Sequence, residues 1–195
     1  MPAWSPEIAN EFIRLARAQG RAFKQGQLQK LTYIAHGICL ASTGEPLTGD
    51  QPDAGHFGPE YARLAASLVS YGCDPVLDDI SVAAIYPGLG EATLARLQEV
   101  ELSHDETKII RSVFESFGSL DPSQLWTLTR LHPTAPWKTV YDGDSRAFRT
   151  INHRLIQAQF IELLAANGRL PVQDLEQSRG QCRVKLTAKA LADID

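Results

Sequence analysis

The chain has 195 residues, a formal net charge of −4 and a hydrophobic fraction of 44%, and a chain of this size can bury roughly 70% of its unfolded surface without disulfide or metal staples. The acidic balance, with a pI of about 5.7, disfavours bulk nucleic-acid binding, which needs a basic face. Three well-separated cysteines, Cys39, Cys73 and Cys182, suit a reducing compartment and exclude a Cys-x-x-Cys zinc or redox pair.

From the N-terminus, Ser5-Pro6-Glu7 reads as a helix start, with a hydroxyl cap, an early proline and an acid in the first turn. Ile8, Phe12, Leu15 and Ala16 share one face behind it, and Gly20 is the stop. The N-terminal MPAWSPEIANEF has no basic segment leading into an apolar one, so no signal peptide is expected. A second helix is predicted from about Gln27 to Thr43, with Leu28, Leu31, Ala35, Ile38 and Cys39 inward and Gly44 ending it. Its apolar stretch is far below the ~20 residues of a membrane span, so the expected location is cytoplasmic with no membrane partner.

Residues 45–58 are rich in Gly, Pro and Asp and read as a loop with room for a short strand. Pro59 is expected to start a third helix with Leu64, Ala65, Leu68 and Val69 as its stripe and Gly72 as its end. Residues 80–86 read as a short strand or an extended packed segment, and Asp78-Asp79 as solvated acids. Ser103-x-x-Glu106 is a capping box before Ile109, Ile110, Val113, Phe114 and Phe117, stopped at Gly118. Asp121-Pro122-Ser123-Gln124 opens another helix with Leu125, Leu128 and Leu131 inward. His132 to Trp137 is expected to be rigid and non-helical because of its two prolines, and Asp142-Gly143 to be a turn. The last long helix is predicted from about Ser145 to Ala166, with Ile151, Leu155, Ala158 and Phe160 or Ile161 inward, and Gly168 ends it. Beyond it, the alternation from Gln181 to Leu186 suits a short strand, and Thr187 a terminal helical turn. The expected fold is therefore mainly α. It is a single compact helical domain over residues 5–166 with a few short β-strands, and a C-terminal extension over residues 167–195.

Two blocks stand apart from these patterns. One runs Leu28-Gln29-Lys30-Leu31-x-Tyr33 and continues to Ala54-x-x-Phe57-Gly58-Pro59; the other is Leu128-Thr129-x-x-His132-x-x-x-Pro136-Trp137, followed by Lys138 and Tyr141. Together they resemble the signatures of the Panacea domain family, also called SocA-like or phage-associated GepA-like, over about residues 5–166. The chain departs from the family pattern at Glu60, where an apolar residue is common. The resemblance implies an antitoxin of a type II-like toxin–antitoxin system. Its partner would be a cognate protein toxin from an adjacent gene, neutralised by direct protein–protein binding. One branch of the family instead implies a proteolytic adaptor that delivers the toxin to a Clp-type protease.

The residues themselves admit a bland and a functional reading. Gln29, Lys30 and Tyr33 lie on one helical face, which is either a partly solvated flank of the core stripe or a contact patch. Phe57, Gly58 and Pro59, with Tyr61, read as a loop-to-helix junction with Phe57 packed on the core, or as a contact loop. His132, Pro136 and Trp137 read as a structural histidine and a core or groove-wall tryptophan, or as part of the same contact surface. These ten residues are the candidate partner-binding set. No phosphate loop, nucleophile elbow, kinase signature or His-x-x-x-His pair is present, so no catalytic residue, metal or cofactor is assigned. An enzyme site would need His132, His56 and Asp53 to converge. A DNA-binding role would rest on the modest basic run Arg14, Arg17, Arg21 and Lys24.

Overall fold

A computed structural model describes residues 2–94, 101–130, 135–141 and 149–165. Its centre is helix α2 (Gln25–Thr43). Every α2 residue from Leu28 to Leu40 is buried, because α1 (Ser5–Ala18), α6 (His104–Phe117), α7 (Pro122–Arg130) and α9 (His153–Ala165) all pack on it. A helix enclosed on all sides has no solvent face, and the expectation of a partly solvated flank at Gln29, Lys30 and Tyr33 is overturned by that enclosure. The predicted core positions Leu28, Leu31, Ala35, Ile38 and Cys39 are buried as expected. Gly44 closes α2 at φ 79°, a left-handed conformation open to glycine at no steric cost.

The closest approach in the bundle is between α2 and α9. A Cβ on Gly37 would lie 2.6 Å from Phe160 Cζ and closer still to two other atoms of that ring, so glycine is what lets the two helices meet there. Beside this contact His36 and His153 face each other with ring centroids 4.9 Å apart. His36 Nδ1 accepts the Thr48 backbone N–H at 3.2 Å, which leaves the ring proton on Nε2. Burial, with His153 beside it, pushes the His36 pKa down to about 3. The folded value lies below the unfolded one, so the unfolded chain binds the extra proton as pH falls. Stability is full above about pH 6.5 and declines below it, and this histidine alone should remove about 2 kcal/mol by pH 5. Urea denaturation of wild type and His36→Gln at pH 7 and pH 5 checks this, and the variant should show the shallower decline.

α1 and α6 carry the predicted stripes, and the Ser103–Glu106 capping box forms. The cap of α1 falls on Trp4 instead of Ser5, whose hydroxyl donates to Asp50 at 2.5 Å. Asn10 on α1 clamps Ile80 through both backbone groups, at 2.7 and 3.1 Å, and Ile80 is buried by it. Residues 82–85 then form a short helix, α4 (Val82–Ile85), where a strand or extended segment was expected. Strand β1 (Phe23–Lys24) pairs antiparallel with β4 (Pro75–Val76). Asp79 is not a free acid: it pairs with Arg14 and Arg17 at 2.7 and 3.0 Å.

Four further expectations change. Pro59 does not open a helix: Asp53–Gly55 (β2) and Gly58–Glu60 (β3) form an antiparallel hairpin, and α3 (Ala62–Ser67) starts three residues later. Val69 lies beyond α3 in a single 3-10 turn and is 76% exposed, although Leu64 and Leu68 are buried as predicted. Helix α9 begins at His153, because Arg149 to Ile151 is extended and pairs with the hairpin; Leu155, Ala158 and Ile161 face outward, and Ile156, Gln159, Phe160 and Leu163 inward. Pro136 and Trp137 start the short helix α8 (Pro136–Val140) where a non-helical path was expected, since proline suits a first helical position. Leu131, His132, the 142–143 turn and everything predicted beyond Ala165 lie outside the described residues.

Candidate functional site: a clamped hairpin

Both sequence blocks converge on the β2–β3 hairpin. Gln29 forms a two-way clamp on Tyr61, its Oε1 accepting the backbone N–H at 2.8 Å and its Nε2 donating to the backbone carbonyl at 3.1 Å. On the next residue of α2, Lys30 Nζ donates to the Pro59 carbonyl at 2.6 Å. These polar groups sit in the core because strand β3 and Tyr61 just beyond it present backbone groups there that would otherwise go unpaired. On the other side, Trp137 Nε1 donates to the Gly55 carbonyl at 2.7 Å. The outer edge of β2 is paired in turn: Ala54 N–H donates to the Arg149 carbonyl at 2.7 Å, and Ile151 N–H to the Pro52 carbonyl at 2.8 Å. Gly58 has φ 97° and a Cβ there would meet Lys30 Nζ at 3.4 Å, so both the turn and the lysine's approach favour glycine.

Burial pushes the Lys30 pKa down to about 8, and the nearby Glu60 carboxylate partly opposes that shift. Glu60, the departure from the family pattern, thus supplies the charge that helps keep a buried ammonium protonated. The lysine's folded pKa is depressed, so its contribution to stability rises with pH between about 8 and 10.5 and is lost as pH falls through 8. Lys30→Met has no such titration. The stability of wild type relative to Lys30→Met should therefore grow by about 2 kcal/mol from pH 8 to pH 10, as read by chemical denaturation across that range.

From Trp137 a strip of rings leads to the surface. Tyr141 stacks on the indole at 4.4 Å and 20°. Its hydroxyl meets His56 Nδ1 at 3.1 Å, and His56 packs edge-on against Phe57 at 4.8 Å. Phe57, at the two-residue tip, is 68% exposed and is not stapled to the core as expected. Of the candidate partner-binding residues, Phe57 is the one described as exposed. Gln29, Lys30, Tyr33, Gly58, Pro59, Tyr61, Pro136 and Trp137 are buried and shape the hairpin from beneath, and His132 is outside the described residues. Of the three residues that an enzyme site would need, His56 bonds Tyr141, Asp53 accepts from the Thr150 hydroxyl at 2.9 Å, and His132 lies outside the described residues. A cleft of about 20 Å³ beside Tyr33, Ile38, Phe160 and Leu163 has room for a water molecule and little more.

Sequence reasoning missed Tyr141 as a site member, and missed Trp126 and Arg130 altogether. The Trp126–Arg130 spacing of four, which places both on one helical face, was the available signal. Arg130 lies between two indoles, its guanidinium carbon 4.5 Å from the Trp126 ring centre and 4.1 Å from that of Trp137.

The fold and site define a class: a helical scaffold whose central helix and a tryptophan hold a β-hairpin from both sides and present one aromatic at its tip. The chain belongs to the antitoxin SocA-like, Panacea domain family, which it matches over residues 28–138. That span holds both signature blocks and the whole hairpin. Neither the curated proteins nor the solved structures compared with it yield a match.

Proposed function

We propose that the chain is a non-enzymatic antitoxin that neutralises a cognate protein toxin, encoded by an adjacent gene, by binding it directly through the β2–β3 hairpin tip. The observation that carries this reading is an exposed Phe57 on a turn whose neighbours are fixed by Lys30, Gln29 and Trp137. An aromatic held ready on a rigid support loses little conformational freedom on binding, which favours affinity. Aromatic anchors of this kind dominate protein interfaces, and the family is antitoxin-like.

The basic run weighed for DNA binding supports this reading over a nucleic-acid one. Arg14 and Arg17 are engaged by Asp79 and Glu11, and Arg21 donates to the Gly118 carbonyl. Charges already held inside the molecule add little to phosphate contacts.

Expression of the neighbouring gene alone and together with this chain tests the proposal. Growth arrest by the neighbour, relieved by the chain with a complex recoverable from the cells, is the expected result. A harmless neighbour with no complex would end it.

A further inference from the structure

We infer that Arg130, clamped between Trp126 and Trp137, is a docking site for a carboxylate on an acidic partner protein. The inference rests on the protein-binding reading above and names the chemistry that the partner brings. The guanidinium carbon packs over two indole rings, 4.5 and 4.1 Å from their centres, contacts that hold its orientation and partly desolvate it. Among the described residues Arg130 accepts no ion pair and makes no hydrogen bond; its contacts there are the two rings. The Trp126 Nε1–H on one of those rings is also buried without a partner among the described residues. A guanidinium edge fixed in plane matches a carboxylate through two parallel hydrogen bonds, a geometry lysine does not reproduce.

Trp137 is at once the lid on Arg130, the donor to the Gly55 carbonyl and the first ring of the strip that ends at Phe57. The cation and the exposed phenyl are therefore joined through one buried indole and its ring contacts, an arginine and an aromatic of the kinds that carry binding energy at interfaces. A phosphate could satisfy the same edge. The observations favour a protein carboxylate: Arg14, Arg17 and Arg21 are engaged elsewhere, and nucleic-acid affinity needs many such contacts together.

The test titrates the purified full chain with poly-L-glutamate, and separately with a single-stranded oligothymidylate, at low salt, reading tryptophan emission. The same variants are then assayed for affinity to the neighbouring gene's product. Polyglutamate should shift the emission saturably, Arg130→Lys should weaken that response about tenfold, and Arg130→Gln should abolish it. Arg130→Gln should also weaken the protein complex at least tenfold, with Arg111→Gln on the exposed side of α6 unchanged in both assays. Unaltered thermal melting of Arg130→Lys separates recognition from folding. An Arg130→Gln protein that still answers polyglutamate, or a chain that binds the oligonucleotide more tightly than polyglutamate, overturns the inference. If wild type ignores the neighbour's product yet answers polyglutamate through Arg130, the toxin reading fails and the carboxylate site stands. If the complex forms and Arg130→Gln binds as wild type does, the carboxylate site fails and the toxin reading stands.

Discussion

Trp137→Ala is expected to cost about 3–5 kcal/mol of folding stability and to release the hairpin from one of its two supports. The side chain is buried, and its loss opens a hole beneath Tyr141, which stacks on it at 4.4 Å, and beside Arg130. It also strips the Gly55 carbonyl of its indole donor. Trp137→Phe separates these effects. It keeps an aromatic filling but not the donor, so it should cost the lesser amount of about 1–3 kcal/mol for a buried acceptor left unpaired. Urea denaturation gives the two stabilities. Backbone amide exchange should show Ala54 and its neighbours losing protection in both variants, and more in the alanine one. Equal stability of Trp137→Ala and wild type would mean that the tryptophan does not hold the hairpin.

The second large effect sits at the contact between α2 and α9. Gly37→Ala should destabilise by about 1–3 kcal/mol through overpacking, although alanine in a helix interior is intrinsically better than glycine by about 1 kcal/mol. The added methyl would fall within the Phe160 ring, and that ring is itself wedged edge-on against Tyr33 at 5.9 Å. α9 has to move as a body to make room, and it carries His153 with it. The effect is coupled: Gly37→Ala combined with Phe160→Leu should cost less than the sum of the two single changes, because the smaller side chain leaves space for the methyl. A double-mutant cycle measured by thermal or urea unfolding checks this, with strict additivity as the contrary outcome.

The helices were the legible part of the sequence, because their signals are local. The Ser103–Glu106 box, the Asp121 side chain accepting the Ser123 and Gln124 backbone N–H groups at 2.8 and 2.9 Å, and the glycine after Thr43 each act within four residues. The hairpin was not legible. Proline suits a first helical position and an edge strand alike, and nothing within Phe57-Gly58-Pro59 chooses between them. The choice is made by Lys30, 29 residues earlier, and by Gln29 on Tyr61. Gln29 and Lys30 misled for the same reason: polar side chains on a helix read as a solvent face until the strand that needs their hydrogen bonds is placed. The start of α9 was missed because Thr150 is extended by pairing with Asp53, 97 residues away. The candidate residues were therefore found as a set by family resemblance. Their division into a buried clamp and an exposed tip came only from the three-dimensional arrangement.

Phe57 and Val69 are similarly exposed apolar side chains, 68% and 76%, but only Phe57 sits on the clamped turn. The most direct measurement is the dissociation constant of the complex with the neighbouring gene's product for wild type, Phe57→Ser and Val69→Ser. Phe57→Ser should lose at least about 30-fold in affinity, the scale of a hot-spot contact of about 2 kcal/mol, with Val69→Ser unchanged. Binding by Phe57→Ser at wild-type strength would contradict it.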